Sequence, residues 1–589
     1  MYKDWDLSIL YSSFNDGNFK EDYENLPKEI EKILNFAKDN FGYENVTSNE
    51  KEVIENYINM CNKFSKYYNL LYFSSLVLAT DTENIEALKI QNTIEEALTS
   101  LVSANTAFNA YLLKLDDFED IIQSSSILKE HEFVLKEFKE EGKYNLSDKE
   151  ELIIATLQLN GSNAWTTLWN QVTSTLNVDI RLNGKNLVMP LSKIRSMAED
   201  CEQYVRKTAY YAEIGAYPKI EKTAAACLNA IKGEAMSIAN LRGYSNVMEM
   251  TLKSSRMDCE TLNVLISTLE ESLPIFDKYF KHKAKLLGHN NKKLPFYDLF
   301  APVGDINMTF TKEEAIQFIL KNFNNFSEDL GDFTKNAFDN DWIDWDSLEG
   351  KLGGAFCENL HYVKQSRILT NFSGSFSDVL TLAHELGHAY HGEALKDVSF
   401  LNTRYSMPIA EVASTFCETL VCNAAIGTAT KEEKLVILEN NIQGMAQVIV
   451  DIYSRYLFES EVFSKRVTGS LSANELKEIM INCQKKSYGD VLTDLHPYMW
   501  LCKPHYYYVN SNFYNFPYAY GLLFAKGLYS IYLNEGPTFA QKYKRLLTST
   551  GQNSLYDVGL MVDINIRSKD FWRNAISIIE SDIDKFLTM

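Results

Sequence analysis

The sequence is poor in the two residues that most often interrupt regular structure, with 11 prolines and 26 glycines among 589 residues. This composition makes disorder unlikely over most of the chain. Hydrophobic residues make up 46% of the chain and charged residues 23%, which is typical of a soluble globular protein. Because one hydrophobic core stops growing well below this length, we expect at least two lobes.

Basic residues are also scarce relative to acidic ones, 58 against 79, for a net charge of -21. The acidic residues are spread along the chain, which argues against nucleic acid or an anionic membrane as a partner. No uninterrupted apolar run is long enough to span a membrane, and the first residues lack the basic start of a secretory signal. We therefore predict a cytoplasmic protein.

Paired cysteines are missing as well. The nine cysteines are odd in number, widely scattered, and never spaced as C-x-x-C. This pattern argues against a disulfide framework and against a thiolate metal site. It predicts free thiols in a reducing compartment.

Helical periodicity is the dominant pattern along the sequence, so the predicted fold class is mainly α. Apolar residues recur at three- and four-residue steps over 21–41, 48–80 and 84–115. The short connection "TDTEN" predicts that the last two of these segments are antiparallel neighbours. A β-hairpin is predicted around Asn183 and Gly184, because this pair accepts the positive φ angles of a tight turn.

A second β region is predicted between residues 350 and 377. Two short strand-like pieces, Gly353–Cys357 and Ile368–Phe372, could form a small sheet whose edge binds an extended peptide. The alternative is a purely structural hairpin. Ser377 and Asp378 follow, and they predict the start of a helix.

That helix contains the stretch "LTLAHELGHAYHGE", in which three of the nine histidines of the chain occur within eight positions. His384 and His388 are one turn apart on one face, in the H-E-x-x-H arrangement of zinc hydrolases. Glu385 lies about 100° around the helix, where it would face a metal-held water as a general base. His391 is about 10 Å from His384 along the axis, so we expect packing or support of the ligands instead of ligation.

A catalytic zinc needs a third protein ligand and one open position. The segment "SMPIAEVASTFCETL" predicts a second helix, with Pro408 in its first turn and with Glu411 and Glu418 two turns apart on one face. A crossing of the two helices could bring either carboxylate to the metal. Surface ion pairs are the alternative for both glutamates.

These motifs resemble the M3 family of zinc metallopeptidases, specifically its oligoendopeptidase F branch. The segments "GGAFC", "RILTNFSGSFSDVLTLAHELGHA" and "MPIAEVASTFCETL" carry the resemblance, and "DWDLSILYSSF" and "LQLNGSNAW" extend it towards the start of the chain. The resemblance implies that Glu411 is the third ligand and that Glu418 fixes the tautomer of a ligating histidine.

For the fold, the resemblance implies a two-lobed helical clamshell with a deep channel and a small β-sheet near the zinc site. It also implies an N-terminal helical region, 1–195, and a catalytic region, 196–589. Its channel would admit short unstructured peptides and exclude folded proteins.

The segment "KPHYYYVNSNFYNFPYAYG" is similar to the part of the family that carries a histidine and tyrosines facing the zinc. The resemblance assigns the family histidine to His505. Tyr514 and Tyr518, which we expect one helical turn apart, are the best candidates for the tyrosines, with Tyr508 and Tyr520 in reserve. Their hydroxyls could stabilise an oxyanion. The alternative is an aromatic core helix.

The predicted function is therefore hydrolysis of internal peptide bonds in short peptides, with one Zn²⁺ per chain, a zinc-bound water as nucleophile and Glu385 as base. One alternative is a metallo-carboxypeptidase, which would need a cationic side chain to hold a terminal carboxylate. Another is a noncatalytic peptide-binding protein, which would have no need of Glu385.

Overall fold

A computed structural model describes residues 5–42, 49–304 and 308–589. The chain forms two compact units, each assembled from three segments. The first unit comprises Met1–Asp148, Met308–Val421 and Ile531–Ile564, and the second comprises Lys149–Asn307, Cys422–Ser530 and Asn565–Met589. The mainly α prediction is confirmed, while the clamshell, the channel and the division at residue 195 stay predictions.

The first unit is built from helices around a core of aromatic and aliphatic side chains. Its α-helices are Gly17–Phe41, Glu50–Phe64, Tyr68–Thr80, Ile85–Thr99, Leu101–Leu113, Phe118–Gln123, Ser126–Glu130, Glu132–Gly142, Lys312–Phe326, Glu328–Asp339, Phe376–Leu395, Met407–Ala410, the first part of Val412–Thr428, the end of Phe516–Glu535, Phe539–Ser549 and Leu555–Leu560.

The second unit is also helical, and its longest helix, Cys259–Leu286, packs against the carboxy-terminal helix. Its other α-helices are Asp148–Asn160, Ser162–Ser174, Leu191–Ser196, Gln203–Ala216, Glu221–Leu241, Val247–Ser254, Lys431–Ala446, Ile452–Arg466, Ala473–Tyr488, Met499–Cys502, most of Phe516–Glu535 and Lys569–Leu587. A π-helical turn, Gln447–Asp451, continues directly into Ile452–Arg466.

The amino-terminal helices follow the apolar periodicity closely. The predicted helix 21–41 is observed as Gly17–Phe41, and it ends where Gly42 adopts an extended conformation. The segments predicted over 48–80 and 84–115 are each divided into two helices, and residue 48 itself lies outside the described residues. Tyr68–Thr80 and Ile85–Thr99 pack together, as the short connection between them predicts.

The predicted hairpin is confirmed. Strands Asn177–Leu182 and Lys185–Pro190 pair antiparallel, and the two turn residues have φ angles of 50° and 78°. Both positive values are required by a two-residue turn that matches the twist of the strands. A short parallel pair, Leu294–Pro295 with Leu492–Thr493, also lies in the second unit.

The predicted small sheet forms in the first unit, but its strand limits differ from the prediction. The strands are Ile343–Asp344, Phe356–Leu360 and Gln365–Leu369, with Phe356–Leu360 at one edge. The first of the two predicted strands starts three residues late because Gly354 has a φ of 86°, which is incompatible with strand backbone.

The helical stretch Met407–Thr428 is long and apolar enough to cross a membrane by length and composition alone. Two-thirds of its most apolar part, 67%, is buried within the protein. Glu411 and Glu418 interrupt it. Burial of this kind is typical of a core helix in a soluble protein.

Candidate metal centre

The site begins with the helix Phe376–Leu395, called here the histidine helix. Its N-cap is Ser375, whose hydroxyl accepts from the Asp378 amide while the Asp378 carboxylate accepts from the Ser375 amide. The predicted start at Ser377 is therefore wrong by two residues, because this reciprocal capping box satisfies the first free N–H groups. On this helix the rings of His384 and His388 lie 4.9 Å apart between centroids.

Glu411 lies at a break between two helices. The short helix Met407–Ala410 ends there, and Val412–Thr428, called here the glutamate helix, follows. The predicted single helix is therefore interrupted, with Glu411 at φ -89° and ψ 2°. Its Oε2 lies 3.1 Å from Nε2 of His384 and 3.3 Å from Nε2 of His388. The structure thus brings the three predicted ligands together.

Gly387 explains how the two helices approach so closely. A Cβ atom at this position would lie 2.6 Å from the carbonyl oxygen of Ala413 and 2.6 Å from the Cα of Ser414. Any larger residue would push the glutamate helix away from the histidine helix. The glycine inside the H-E-x-x-H segment therefore sets the position of Glu411.

The donor set fits a divalent metal ion. The ligand atoms of His384, His388 and Glu411 all lie within 4.8 Å of one another. Tetrahedral zinc with nitrogen and oxygen bonds of about 2.0–2.2 Å places neighbouring ligand atoms about 3.3 Å apart. The two measured separations match that value. Two imidazoles and one carboxylate also form the ligand set of several catalytic zinc sites, which keep a fourth position open.

Glu418 contacts the opposite nitrogen of His384. Its Oε2 lies 3.2 Å from Nδ1 of His384, so this imidazole stands between two carboxylates. Although burial lowers the pKa of His384, the hydrogen bonds to Glu411 and Glu418 raise it to about 10. Burial raises the pKa of Glu411, but the two histidines hold it well below its usual range. The site therefore has an excess of negative charge that favours a cation.

Glu385 is 6% exposed and lies outside the group of three donors. Burial raises its pKa, and the neighbouring histidines only partly oppose that effect. A carboxylate with a raised pKa is a better proton acceptor than an ordinary one.

His391 does not join the cluster. It is fully buried, its Nε2 lies 2.8 Å from the hydroxyl of Thr550, and its ring stacks on Tyr405 at 4.2 Å. Burial lowers its pKa to about 3, so it is neutral at physiological pH. Its surroundings are those of a packing residue.

The predicted carboxy-terminal residues form a separate cluster in the second unit. His505 lies in the 3₁₀ turn Pro504–Tyr507, and its ring is 5.5 Å from those of Tyr508 and Tyr514 and 6.0 Å from that of Tyr518. The structure therefore brings the predicted histidine and both preferred tyrosines together.

One detail of that prediction is wrong. Tyr514 precedes the helix Phe516–Glu535, so it shares no helical turn with Tyr518. The helix begins late because Asn515 caps it by accepting from the Phe516 amide at 2.6 Å. The reserve residue Tyr520 is buried against Phe524, where it contributes to the core.

Cationic neighbours surround His505. Nη1 of Arg455 donates towards Nδ1 of His505 at 3.4 Å, and Arg455 is held by Asp451 through Nε at 2.9 Å. Burial lowers the pKa of His505 to about 4, and Arg455 and Lys503 contribute to that shift. Because a guanidinium only donates, Nδ1 must accept, and Nε2 of the neutral ring carries the proton.

Residues 196–578 match peptidase family M3, and residues 112–177 match Oligopeptidase F. The first match covers more than half of the chain. The chain belongs to peptidase family M3. The prediction of an M3 metalloendopeptidase of the oligoendopeptidase F branch is thereby confirmed.

Relatives of the same M3 branch align with most of the sequence. An oligoendopeptidase F homolog of Borreliella burgdorferi is 26% identical over 601 residues, which cover 99% of this chain and 97% of the relative. Oligopeptidase PepF of Bacillus subtilis is 26% identical over 478 residues, which cover 80% of this chain and 70% of the relative. Group B oligopeptidase PepB of Streptococcus agalactiae is 23% identical over 589 residues, which cover 98% of this chain and 95% of the relative.

Solved structures share the M3 fold of this chain. A crystal structure from Chlamydophila abortus superposes with a TM-score of 0.85 at 19% identity, covering 99% of this chain and 98% of that one. Oligoendopeptidase-F from Enterococcus faecium superposes with a TM-score of 0.68 at 17% identity, covering 97% of this chain and 98% of that one. At these identities the likeness supports the fold alone.

Several residues around the two clusters were not anticipated from the sequence. The hydroxyl of Ser414 lies 3.0 Å from Oε2 of Glu411 and can donate to it, which fixes the carboxylate. Arg455 and Asp451 shape the surroundings of His505 from about 50 residues away. Only the spacing of Ser414 from Glu411, three residues along the predicted helix, could have been noticed in the sequence.

Proposed function

We propose that this M3 metalloendopeptidase depends on zinc, held by His384, His388 and Glu411. The observation that supports this proposal most directly is the set of nitrogen-to-oxygen separations, 3.1 and 3.3 Å, which suits tetrahedral zinc. When bound, zinc would supply Lewis acidity, which activates water and polarises the substrate carbonyl. Glu418 would keep His384 in the tautomer that presents Nε2, by accepting a hydrogen bond from the Nδ1–H group.

Glu385 is the proposed general base. Its carboxylate would take the proton of the attacking water and return it to the leaving amine as the peptide bond breaks. The raised pKa and near-complete burial of this carboxyl group support that assignment. His391 would have no chemical role, because packing and hydrogen bonding account for its surroundings.

His505 is the proposed donor to the oxyanion of the scissile carbonyl. With Nδ1 facing Arg455, the neutral imidazole offers Nε2–H, which can donate to a developing negative charge without itself changing protonation state. Tyr514 and Tyr518 lie against the same ring and would add hydroxyl donors. The exposed ring of Tyr508 is the remaining candidate.

The edge strand Phe356–Leu360 would align the substrate backbone. It pairs with Gln365–Leu369 on one side only within the described part of this sheet, and the Asn359 amide donates to the His388 carbonyl at 3.3 Å. An extended peptide can add to such an edge by main-chain hydrogen bonds. We propose short unstructured oligopeptides as substrates. The absence of nucleic-acid and membrane partners and the cytoplasmic location stay predictions.

The test uses an internally quenched peptide of about ten residues with both ends blocked, together with zinc analysis of each protein. We expect the native enzyme to cut internally. Glu385→Ala is expected to retain about one zinc per chain and to lose at least about 10²-fold in kcat, since it lacks the base. Glu393→Gln, on the same helix, is the matched control and should behave as the native protein.

Two outcomes would contradict the proposal. Cleavage of free-ended peptides only would favour the metallo-carboxypeptidase. Zinc binding with peptide affinity but without cleavage of any peptide would favour the noncatalytic peptide-binding protein.

A further inference from the structure

Asn359 lies on the edge strand Phe356–Leu360, and its side chain connects that strand to two neighbouring elements. Its amide donates to the backbone carbonyl of His388 on the histidine helix, with 3.3 Å between nitrogen and oxygen. Its amide oxygen accepts from the hydroxyl of Ser366 at 2.7 Å, and Ser366 is the residue that pairs with Asn359 on the strand Gln365–Leu369. One side chain therefore links both strands to the helix of the two proposed histidine ligands.

Gly392 provides the space for this side chain. A Cβ atom at position 392 would lie 2.5 Å from Cγ of Asn359 and still closer to Oδ1. Carbon atoms in contact prefer separations of about 3.5–4.0 Å, so any larger residue at position 392 would displace the Asn359 amide. Glycine destabilises the interior of a helix relative to alanine, and the close approach of Asn359 accounts for a glycine here.

His388 is engaged in two directions. Its ring presents Nε2 to Oε2 of Glu411 at 3.3 Å, while its backbone carbonyl accepts from Asn359. The edge strand is therefore attached directly to the backbone of a residue whose side chain belongs to the candidate metal centre.

An amide group suits position 359 because it both donates and accepts. A carboxylate could still accept from Ser366, but it could not donate to the His388 carbonyl and would face that oxygen with negative charge. An apolar side chain would lose both hydrogen bonds. Asn359→Asp and Asn359→Ala therefore remove the link to the histidine helix in two different ways.

We propose that Asn359 is a positioning residue, which sets the distance between the edge strand and His388 so that a peptide added to the strand presents its scissile carbonyl to the metal. This inference rests on the proposed function, in which the edge strand aligns the substrate backbone and His388 holds zinc. A misplacement of reacting groups by about 1 Å can lower a rate by about 10²-fold. Loss of the link should therefore impair the cleavage of a bound peptide more than the binding of peptide or metal.

The experiment uses the zinc-loaded full chain, the blocked quenched peptide and two inhibitors. Acetohydroxamate can contact only the metal, whereas a tripeptide hydroxamate can engage the metal and the edge strand together. The tripeptide carries its hydroxamate at whichever end gives tighter inhibition of the native protein.

Both Asn359 variants should lose activity without losing the metal. We expect kcat to fall by about 10- to 100-fold, with zinc retained and KM within about threefold of the native value. The inhibition constant of the tripeptide hydroxamate should rise by at least about tenfold, while that of acetohydroxamate stays unchanged.

Gly392→Ala tests the same contact from the histidine helix, and it provides the same comparison of inhibitors should the Asn359 variants fail to fold. The added methyl group should displace the Asn359 amide, so the double variant Asn359→Ala/Gly392→Ala should lose no more activity than either single variant. Asn324→Asp is the matched control and should behave as the native protein. Asn324 is exposed, its amide also donates to a backbone carbonyl, that of Leu320 at 2.9 Å, and its side chain also lies over a glycine, Gly331.

Three outcomes would overturn this inference and leave the proposed function intact. The first is a ratio of the two inhibition constants that stays at its native value in the Asn359 variants, whatever their rate of cleavage. The second is loss of zinc from these variants, because Asn359 would then support the metal ligand instead of the edge strand. The third is an additive loss in the double variant. If the native protein cleaves no peptide, the proposed function fails, and this inference fails with it.

Discussion

His384 and His505 belong to the same residue type but lie in opposite electrostatic surroundings. In the first unit, His384 stands between Glu411 and Glu418, and its pKa rises to about 10. In the second unit, His505 faces Arg455, and burial, Arg455 and Lys503 together lower its pKa to about 4. Each ring is partly buried, so the sign of the neighbouring charges decides the outcome.

The charges around His384 and around His505 indicate which ligand each cluster is suited to bind. Carboxylates around His384 and His388 make an anionic group that attracts a cation, and a divalent metal ion held by these residues would take the place of the protons there. Cations around His505 exclude a proton from Nδ1 and leave a neutral donor at Nε2. One cluster is suited to a metal ion and the other to a negatively charged substrate oxygen.

The largest effect should come from removing the shared carboxylate of the first cluster. Glu411→Ala is expected to abolish stoichiometric zinc binding and to lower kcat/KM by at least about 10³-fold, because the Lewis acid is lost. Metal analysis and peptide cleavage check this, with the exposed Glu313→Ala as control. Full zinc content at normal rates would mean that another residue completes the site.

The next effect tests the second cluster. His505→Phe should lower kcat by about 10² to 10³-fold, the typical cost of losing one oxyanion donor, and leave zinc content unchanged. His505→Gln keeps a side-chain N–H and should recover part of the loss. Zinc loss in either variant would contradict this prediction, because His505 would then contribute to metal binding.

A smaller effect concerns the carboxylate behind His384. Glu418→Gln should weaken zinc binding by about 10- to 100-fold, because a neutral amide supports the ligating imidazole less well. Competition with a chelator measures the change, and kcat at saturating zinc should fall much less. An unaltered zinc affinity would indicate that Glu418 forms only a surface ion pair.

The smallest expected effect is on the pH dependence of stability, and it concerns His391. The neighbours of this third histidine are mostly uncharged, in contrast to those of His384 and His505. Its pKa of about 3 lies below the value of about 6.5 in the unfolded chain. The unfolded state therefore binds one more proton between pH 6.5 and 3, and stability falls as the pH is lowered through that window. His391→Gln should reduce this dependence by about 1.4 kcal/mol per pH unit, measured by denaturant unfolding at several pH values. An unchanged slope would place the titrating group elsewhere.

Local patterns in the sequence predicted the elements well and their limits less well. Apolar spacing identified Gly17–Phe41 and its neighbours, and the Asn183-Gly184 pair identified the hairpin, since both signals depend on residues close in sequence. The start of the histidine helix and the helical position of Tyr514 were wrong. In both cases a nearby cap, Ser375 or Asn515, determined where the first N–H groups are satisfied.

The sequence by itself determined the pair His384 and His388, because one helical turn places them on one face whatever surrounds the helix. It also indicated, from the distance along the same axis, that His391 does not share one ion with His384. Tertiary structure decided the rest. Gly387 lets the glutamate helix approach until Glu411 reaches both imidazoles, and burial together with Arg455, 50 residues away, keeps His505 neutral. Contacts of that kind depend on how distant segments pack, and no local spacing encodes them.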